Sequence, residues 1–187
     1  MFTAGAPPAA ATLAKVEPLG FNVTQVYGLT EVYGPATECI WQDDLWDDLP
    51  QDERANIKAR TGVAMPMLEE ATVTDENMAP VPRDGVTTGE IMMRGNNVMK
   101  GYLKNPEATE QALEGGWYHT GDLAVWHPDG YIEIKDRSKD IIKSGGEWIS
   151  TVELEGIAVA HPGIADAAAI AAKHVKWDER PVLVAVK

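Results

Sequence analysis

Three short stretches of this chain bring together hydroxyls, carboxylates, cations and glycines of the kind that phosphate and nucleotide chemistry needs. They are Tyr27-Gly-Leu-Thr-Glu31, Tyr118-His-Thr-Gly-Asp122 and Asp136-Arg-Ser-Lys-Asp-Ile-Ile-Lys-Ser-Gly-Gly-Glu147. The first follows Phe21-Asn-Val-Thr-Gln-Val26, whose alternation of apolar and polar side chains reads as a half-buried strand. Glycine directly after a strand permits a tight turn, and open α/β sheets place their ligands at such strand ends. Thr30 and Glu31 would present a hydroxyl and a carboxylate there; taken alone, the pair reads as a helix start, with threonine as the cap and glutamate in the first turn. Tyr27 taken alone suits a core. Asp122, after Gly121, taken alone reads as a turn aspartate. Composition alone makes Arg137 and Lys139 part of a solvated connector, whereas Gly145 and Gly146 permit close backbone approach to a ligand. Trp148 suits a ligand channel and a core equally.

The elements that would position these residues can be read around them. Thr12 to Leu19 reads as a short helix, and Trp41 to Pro50, with four aspartates among two tryptophans, as an acidic surface loop leading to a helix near Gln51 to Arg60. Short β-like stretches alternate with Pro and Gly from Ala71 to Arg94. A Pro128-Asp-Gly130 turn between two strand-like runs predicts a hairpin over Leu123 to Ile134. Lys135 to Asp140, with five charged residues in six, reads as a polar connector at a domain boundary. Beyond it come a helix over Thr151 to Ala160, ended by His161-Pro-Gly163, and strands at Ala167 to Ala172 and Val182 to Lys187. The last run stops with no turn after it, which reads as a chain cut in mid-strand.

The 187 residues are 44% apolar and 24% charged, a globular composition. A formal net charge of -13 disfavours nucleic acid and anionic membranes as partners. Cys39 has no second cysteine to pair with, which points to an intracellular compartment, the cytoplasm. Four scattered histidines and one cysteine do not make a zinc site. No apolar run approaches the length of a membrane span, and the first residues lack the basic start of a signal peptide.

In their order and spacing the three motifs resemble those of the adenylate-forming superfamily of acyl-CoA synthetases, luciferases and peptide-synthetase adenylation domains, from Thr3 to Lys187. Val32-Tyr-Gly-Pro-Ala-Thr37, Gly146-Glu-Trp-Ile-Ser150 and Trp177-Asp-Glu-Arg-Pro181 are similar to fatty-acyl and 3-methylmercaptopropionate CoA ligases. The resemblance implies an α/β fold in two parts. Residues 1–136 would be the C-terminal part of a large adenylation domain with a β-rich subdomain, and residues 137–187 a truncated, mobile α+β lid. It implies a two-step reaction, in which a fatty or other small carboxylic acid attacks the α-phosphate of ATP and a CoA thiol then displaces AMP.

The same resemblance assigns the residues. Gly5, Ala6, Pro7, Tyr27 and Gly28 would line the adenine site, Thr30 would bond the phosphate, and Glu31 would hold magnesium. Asp122 and Arg137 would bind the ribose, Arg137 also reaching the phosphate, and Lys139 would sit at the hinge of the lid. Lys143, Gly145, Gly146, Glu147 and Trp148 would form the loop of the CoA half-reaction. A Ser/Thr/Gly-rich phosphate loop with its lysine, and a catalytic lysine in a Gly-Lys motif, have no match here, so the isolated chain is expected not to form acyl-CoA. Two alternatives share the motifs: a non-catalytic AMP-binding remnant and an adenylation domain that loads a carrier protein.

Overall fold

The computed structural model describes residues 1–5 and 8–187, and the chain divides into two units, Met1–Ile134 and Lys135–Lys187. In the first unit, β1 (Phe2–Thr3) leads to α1 (Ala10–Val16) and then β2 (Thr24–Tyr27), β3 (Thr37–Glu38), α2 (Asp43–Trp46), α3 (Gln51–Lys58) and β4 (Val63–Ala64). A second run follows: β5 (Glu70–Thr74), β6 (Thr88–Arg94), α4 (Pro106–Ala112), β7 (Tyr118–Trp126) and β8 (Ile132–Arg137), whose last residues enter the second unit. Two four-stranded sheets result, ordered β1-β2-β3-β4 and β5-β6-β7-β8.

The strand before Tyr27 is shorter than its alternation predicts, and it is not half-buried. Phe21 is exposed, while Gln25, Val26 and Tyr27 are buried in succession. A strand covered on both faces leaves the period-2 pattern no side to mark. β1 runs parallel to β2, with Thr3 opposite Gln25, and β3 returns antiparallel with Thr37 opposite Tyr27. β6 is the centre of the second sheet. Ile91, Met92 and Met93 are fully buried, and Val73 of β5, Ala124 and Tyr118 of β7 and Ile132 of β8 pack into one core with Tyr27 and Val32.

The acidic run of residues 41–50 is not a plain surface loop. Trp46 is buried, its ring 5.2 Å from Trp41 and 5.1 Å from Tyr131 in edge-on contacts, and Cys39 and Ile57 complete this small core. The Lys58 ammonium lies 4.8 Å from the Trp41 ring centre. The tryptophans supply the burial and the aspartates stay at the rim, as edge-to-face aromatic packing allows. Cys39 donates its thiol to the Ile57 carbonyl at 3.2 Å, and burial pushes its pKa up to about 11, so it stays an unreactive thiol.

The second unit holds β9 (Ile142–Ser144), β10 (Glu147–Ile149), α5 (Thr151–Ala160), β11 (Asp166–His174) and β12 (Asp178–Val186), with sheet order β10-β9-β12-β11. Its starting segment, read as a polar connector at a domain boundary, holds one residue that is not solvated. Asp136 is 3% exposed. It accepts the Thr151 amide at 2.6 Å and the Thr151 hydroxyl at 2.9 Å, and so fastens the start of α5. Ser150 caps that helix by accepting the Glu153 amide at 3.0 Å, and its own hydroxyl donates to the Lys135 carbonyl at 2.6 Å. Lys135 and Asp136, assigned to the first part by sequence, are thereby bonded into the second. Midway along α5, Glu155 accepts the Ala169 amide of β11 at 2.8 Å.

Ile91, with no exposed surface, has no room to relax on truncation. Ile91→Ala is therefore expected to lower the unfolding free energy by about 2–5 kcal/mol. The shift of the urea midpoint monitored by tryptophan fluorescence checks this, with an unchanged slope expected.

Candidate active site

At the end of β2 the Tyr27 hydroxyl donates to Asp122 Oδ2 of β7 at 2.6 Å, joining residues 95 positions apart. Both side chains are buried, Tyr27 to 5% exposure and Asp122 to 6%. Burial first, and the Asp122 charge second, hold the Tyr27 phenol far above the ordinary tyrosine range, so it remains a neutral donor facing a carboxylate. Asp122 is placed from its own strand as well: its amide donates to Thr120 Oγ1 at 3.1 Å, and Thr120 in turn donates to the Ile91 carbonyl at 2.8 Å. Glu90 on β6 accepts the Gly121 amide at 2.8 Å and pairs with His119 Nδ1 at 3.3 Å. The Tyr-His-Thr-Gly-Asp stretch is thus held at several points against β6, where the pairing of Glu90 to Met92 with β7 carries a register irregularity.

Gly28 allows the chain to leave β2 abruptly. A Cβ there would stand 1.9 Å from the Gly34 carbonyl oxygen, so only glycine fits the close return. The return is closed by the Ala36 amide donating to the Tyr27 carbonyl at 2.7 Å. Between them, Thr30–Val32 forms a 3-10 turn whose cap position is Leu29, which has no oxygen to offer, so Thr30 is not the helix cap that its type suggests. Thr30 is exposed and Glu31 half-buried. One carboxylate oxygen of Glu31 accepts the Tyr102 hydroxyl at 3.0 Å, and its carbonyl accepts the Met99 amide at 2.7 Å.

Gly5 is exposed and follows β1, whose parallel pairing sets its C-terminal end beside that of β2. Ala6 and Pro7 lie outside the described residues. A depression of about 340 Å³ lined by Glu17, Phe21, Asn22, Trp41 and Lys58 holds none of the motif residues. Among the described residues no group of three or more His, Cys, Asp or Glu side chains is placed to hold a metal.

In the second unit Arg137, Lys139 and Lys143 are exposed. Lys143 pairs with Trp148 across the β9–β10 hairpin, its ammonium 5.8 Å from the indole centre. Gly145 and Gly146 make the turn, with Glu147 opposite Ser144. Trp148 is half exposed and outside any core. Gly145 has a further constraint: a Cβ there would meet the Trp177 ring at 2.5 Å, and its amide donates to the Trp177 carbonyl at 2.9 Å. The Lys143 amide donates to Glu179 at 2.8 Å, so β12 holds the hairpin.

The structure therefore brings Tyr27 and Asp122 together, with Gly28, Thr30 and Glu31 on the turn that leaves Tyr27. It also gathers Lys143 to Trp148 on one hairpin. Sequence reasoning missed Glu90 and Tyr102, and gave no supporting role to Thr120 and Trp177 although both stand in quoted motifs. Glu90, Tyr102 and Trp177 act on partners distant in the chain, and no local pattern marks such a pairing.

A family model of AMP-binding enzymes matches residues 1–103, and the chain belongs to that family. Among curated relatives, a peroxisomal acetate/butyrate–CoA ligase of Arabidopsis thaliana is 50% identical over 182 residues, 97% of this chain and 32% of its own length. An acetate–CoA ligase of Humulus lupulus is 52% identical over 182 residues, with the same two shares. The chain thus spans about a third of the length of the curated relatives it matches, at 32%. Among solved structures, the o-succinylbenzoate CoA synthetase of Bacillus subtilis, in complex with its acyl-adenylate intermediate, superposes with a TM-score of 0.81 at 29% identity. The match covers 100% of this chain and 36% of that one. The mixed α/β fold is the one shared by these adenylate-forming ligases over this stretch. Among the described residues no helix is long and apolar enough to cross a membrane.

Tyr27→Phe removes the phenol proton donor from a buried carboxylate and is expected to cost about 1–3 kcal/mol of stability. Because the folded phenol is held above its unfolded value, its contribution is present below about pH 10 and lost as pH rises further, while the unfolded chain ionises first. The wild-type loss of stability above about pH 10 should flatten in Tyr27→Phe by about 1.4 kcal/mol per pH unit. Urea titrations across that range check both effects.

Proposed function

We propose that the whole protein to which these residues belong is an ATP-dependent acid–thiol ligase that activates a small carboxylic acid as its acyl-AMP and passes it to CoA. The observation that carries this reading is the buried Tyr27–Asp122 pair at 2.6 Å beside the Gly28–Glu31 turn, in a chain about half identical to acetate- and butyrate-activating ligases. In the first step a carboxylate oxygen of the acid bonds to the α-phosphorus and pyrophosphate leaves. In the second the CoA sulfur bonds to the acyl carbon and AMP leaves.

The residues suit these steps. Asp122, fixed by Tyr27 and by its own strand, accepts the ribose hydroxyls through its carboxylate. Gly5, just past the end of β1 and beside that of β2, and the Tyr27–Gly28 edge bound the adenine. The exposed Thr30 hydroxyl donates to the α-phosphate, where negative charge builds as the acid attacks. A nucleotide-bound magnesium ion fits the Glu31 carboxylate, since that cation is usually held by one or two carboxylates together with substrate phosphates and water. When bound it would supply charge neutralisation at the phosphates.

By the family likeness alone, Arg137 is the residue for the ribose and phosphate, Lys139 the pivot, and residues 137–187 the mobile part. The hairpin of Lys143, Gly145, Gly146, Glu147 and Trp148 borders the pantetheine path in the thiol step, Gly145 and Gly146 giving backbone approach and Trp148 an exposed apolar wall. The substrates we assign are short- to medium-chain acids, in keeping with the acetate and butyrate of the relatives' names.

The test is acid-dependent exchange of labelled pyrophosphate into ATP by the full-length protein. Asp122→Ala is expected to raise the KM for ATP by about ten-fold or more, from the loss of hydrogen bonds to a charged acceptor. Glu31→Gln is expected to lower kcat by about a hundred-fold, as for loss of one group that stabilises developing charge. Wild-type exchange in either variant, or no exchange with any acid from acetate to octanoate, would contradict the proposal.

A further inference from the structure

The turn that carries Glu31 is gripped by residues 97–102, a stretch to which the motif residues give no role. Three bonds make the grip. Asn97 Nδ2 donates to the Val32 carbonyl at 3.0 Å, the Met99 amide donates to the Glu31 carbonyl at 2.7 Å, and the Tyr102 hydroxyl donates to Glu31 Oε1 at 3.0 Å. The first two fix the backbone on which Glu31 stands. The third fixes the carboxylate itself, because a phenol on one oxygen sets the plane and rotation of the whole group.

Tyr102 is in turn held from both sides. Its amide donates to Thr109 Oγ1 at 2.9 Å, and Thr109 donates to the Asn105 carbonyl at 2.8 Å, in the first turn of α4. Asn105 caps that helix by accepting the Ala108 amide at 3.1 Å. Tyr118, buried to 3% exposure at the start of β7, has its phenol pushed up by burial first and then by the nearby Glu31 charge and Tyr102, so it stands as a neutral neighbour of the Tyr102–Glu31 pair. Tyr118 stands four residues before Asp122 on the same strand, and the charges of both Glu31 and Asp122 act on its phenol. One strand thus carries both the carboxylate assigned to the ribose and a buried phenol beside the carboxylate assigned to the cation.

We propose that Tyr102, backed by Tyr118, is the positioning residue of Glu31: it presents the second carboxylate oxygen to the nucleotide-bound cation while holding the first. The inference rests on the reading of Glu31 given above. Tyr102 is 38% exposed, so loss of its hydroxyl alone leaves most of its packing in place. A group orienting a metal-bound carboxylate is typically worth ten- to a hundred-fold in metal affinity or activity.

The experiment compares Tyr102→Phe, Glu31→Gln and the double variant in the full-length protein, following the magnesium dependence of ATP binding by tryptophan fluorescence and, beside it, acid-dependent pyrophosphate exchange against magnesium concentration at fixed ATP. Tyr102→Phe is expected to raise the magnesium concentration needed for half-maximal rate by about ten-fold with a smaller change in kcat, and Tyr118→Phe to shift it in the same direction by less. In the Glu31→Gln background, Tyr102→Phe should cost almost nothing more, because the two act through one group. An impaired Glu31→Gln beside a Tyr102→Phe with wild-type magnesium dependence would overturn the positioning role alone. Full additivity in the double variant would do the same, whatever the stability of the single variants, and would mark Tyr102 as merely structural. A normal Glu31→Gln would overturn the reading of Glu31 itself, and this inference with it.

Discussion

The hydrogen bond from the Tyr27 phenol to the Asp122 carboxylate is the constraint around which the first unit is arranged. An aspartate 6% exposed is costly unless its lone pairs are met, and the chain meets this one with a phenol that burial keeps protonated. The requirement explains neighbouring features that otherwise look unrelated. β2 must be buried on both faces to hide the Tyr27 ring, Gly28 must be glycine for the chain to escape over Gly34, and Glu90 must hold residues 119–121 so that Asp122 points inward. A polar pair of this kind is of little net benefit to stability against a well-packed apolar one, which makes a ligand the more economical reason for its presence.

The second unit solves a related problem at its start. Asp136, also buried, meets the open end of α5 through Thr151, and Ser150 closes the same turn from the other side. Negative charge at a helix N-terminus is favourable, so the segment that leaves the first unit is fastened to the second at its second residue. Motion assigned to Lys139 would then occur beyond this anchor, in an exposed stretch. The Gly145–Gly146 turn has the opposite character: its shape is set from outside, by the Trp177 ring and carbonyl and by Glu179.

Local patterns carried much of the fold. The helix Thr151–Ala160 is found where the sequence predicts it, because a serine cap and a His161-Pro-Gly163 end bracket it. The 123–134 hairpin is legible from its Pro-Asp-Gly turn, although β7 reaches back to Tyr118. Failures came where tertiary contacts overrule pattern. The aspartates of 41–50 mask a buried Trp46 that packs between Trp41 and Tyr131, and five charges in six residues mask a buried Asp136. α4 carries a local signal too, an Asn105 cap with Pro106 at its first position, but lies outside the three motifs. Of the site, the motif residues themselves were legible, whereas Tyr102 and Glu90 were not. Their partners lie 71 and 31 residues away, and only folding brings them together.

In the proposed function Asp122 and Glu31 face the same bound nucleotide, the first at its ribose and the second at its phosphates. A crystal structure of the full-length protein with a non-reactive acyl-AMP mimic tests this. Both ribose hydroxyls are expected within hydrogen-bond distance of the Asp122 carboxylate, with the Tyr27–Asp122 bond intact and the phosphate oxygen at the Thr30–Glu31 turn. A nucleotide bound elsewhere, or one whose ribose leaves Asp122 facing only Tyr27, would contradict it.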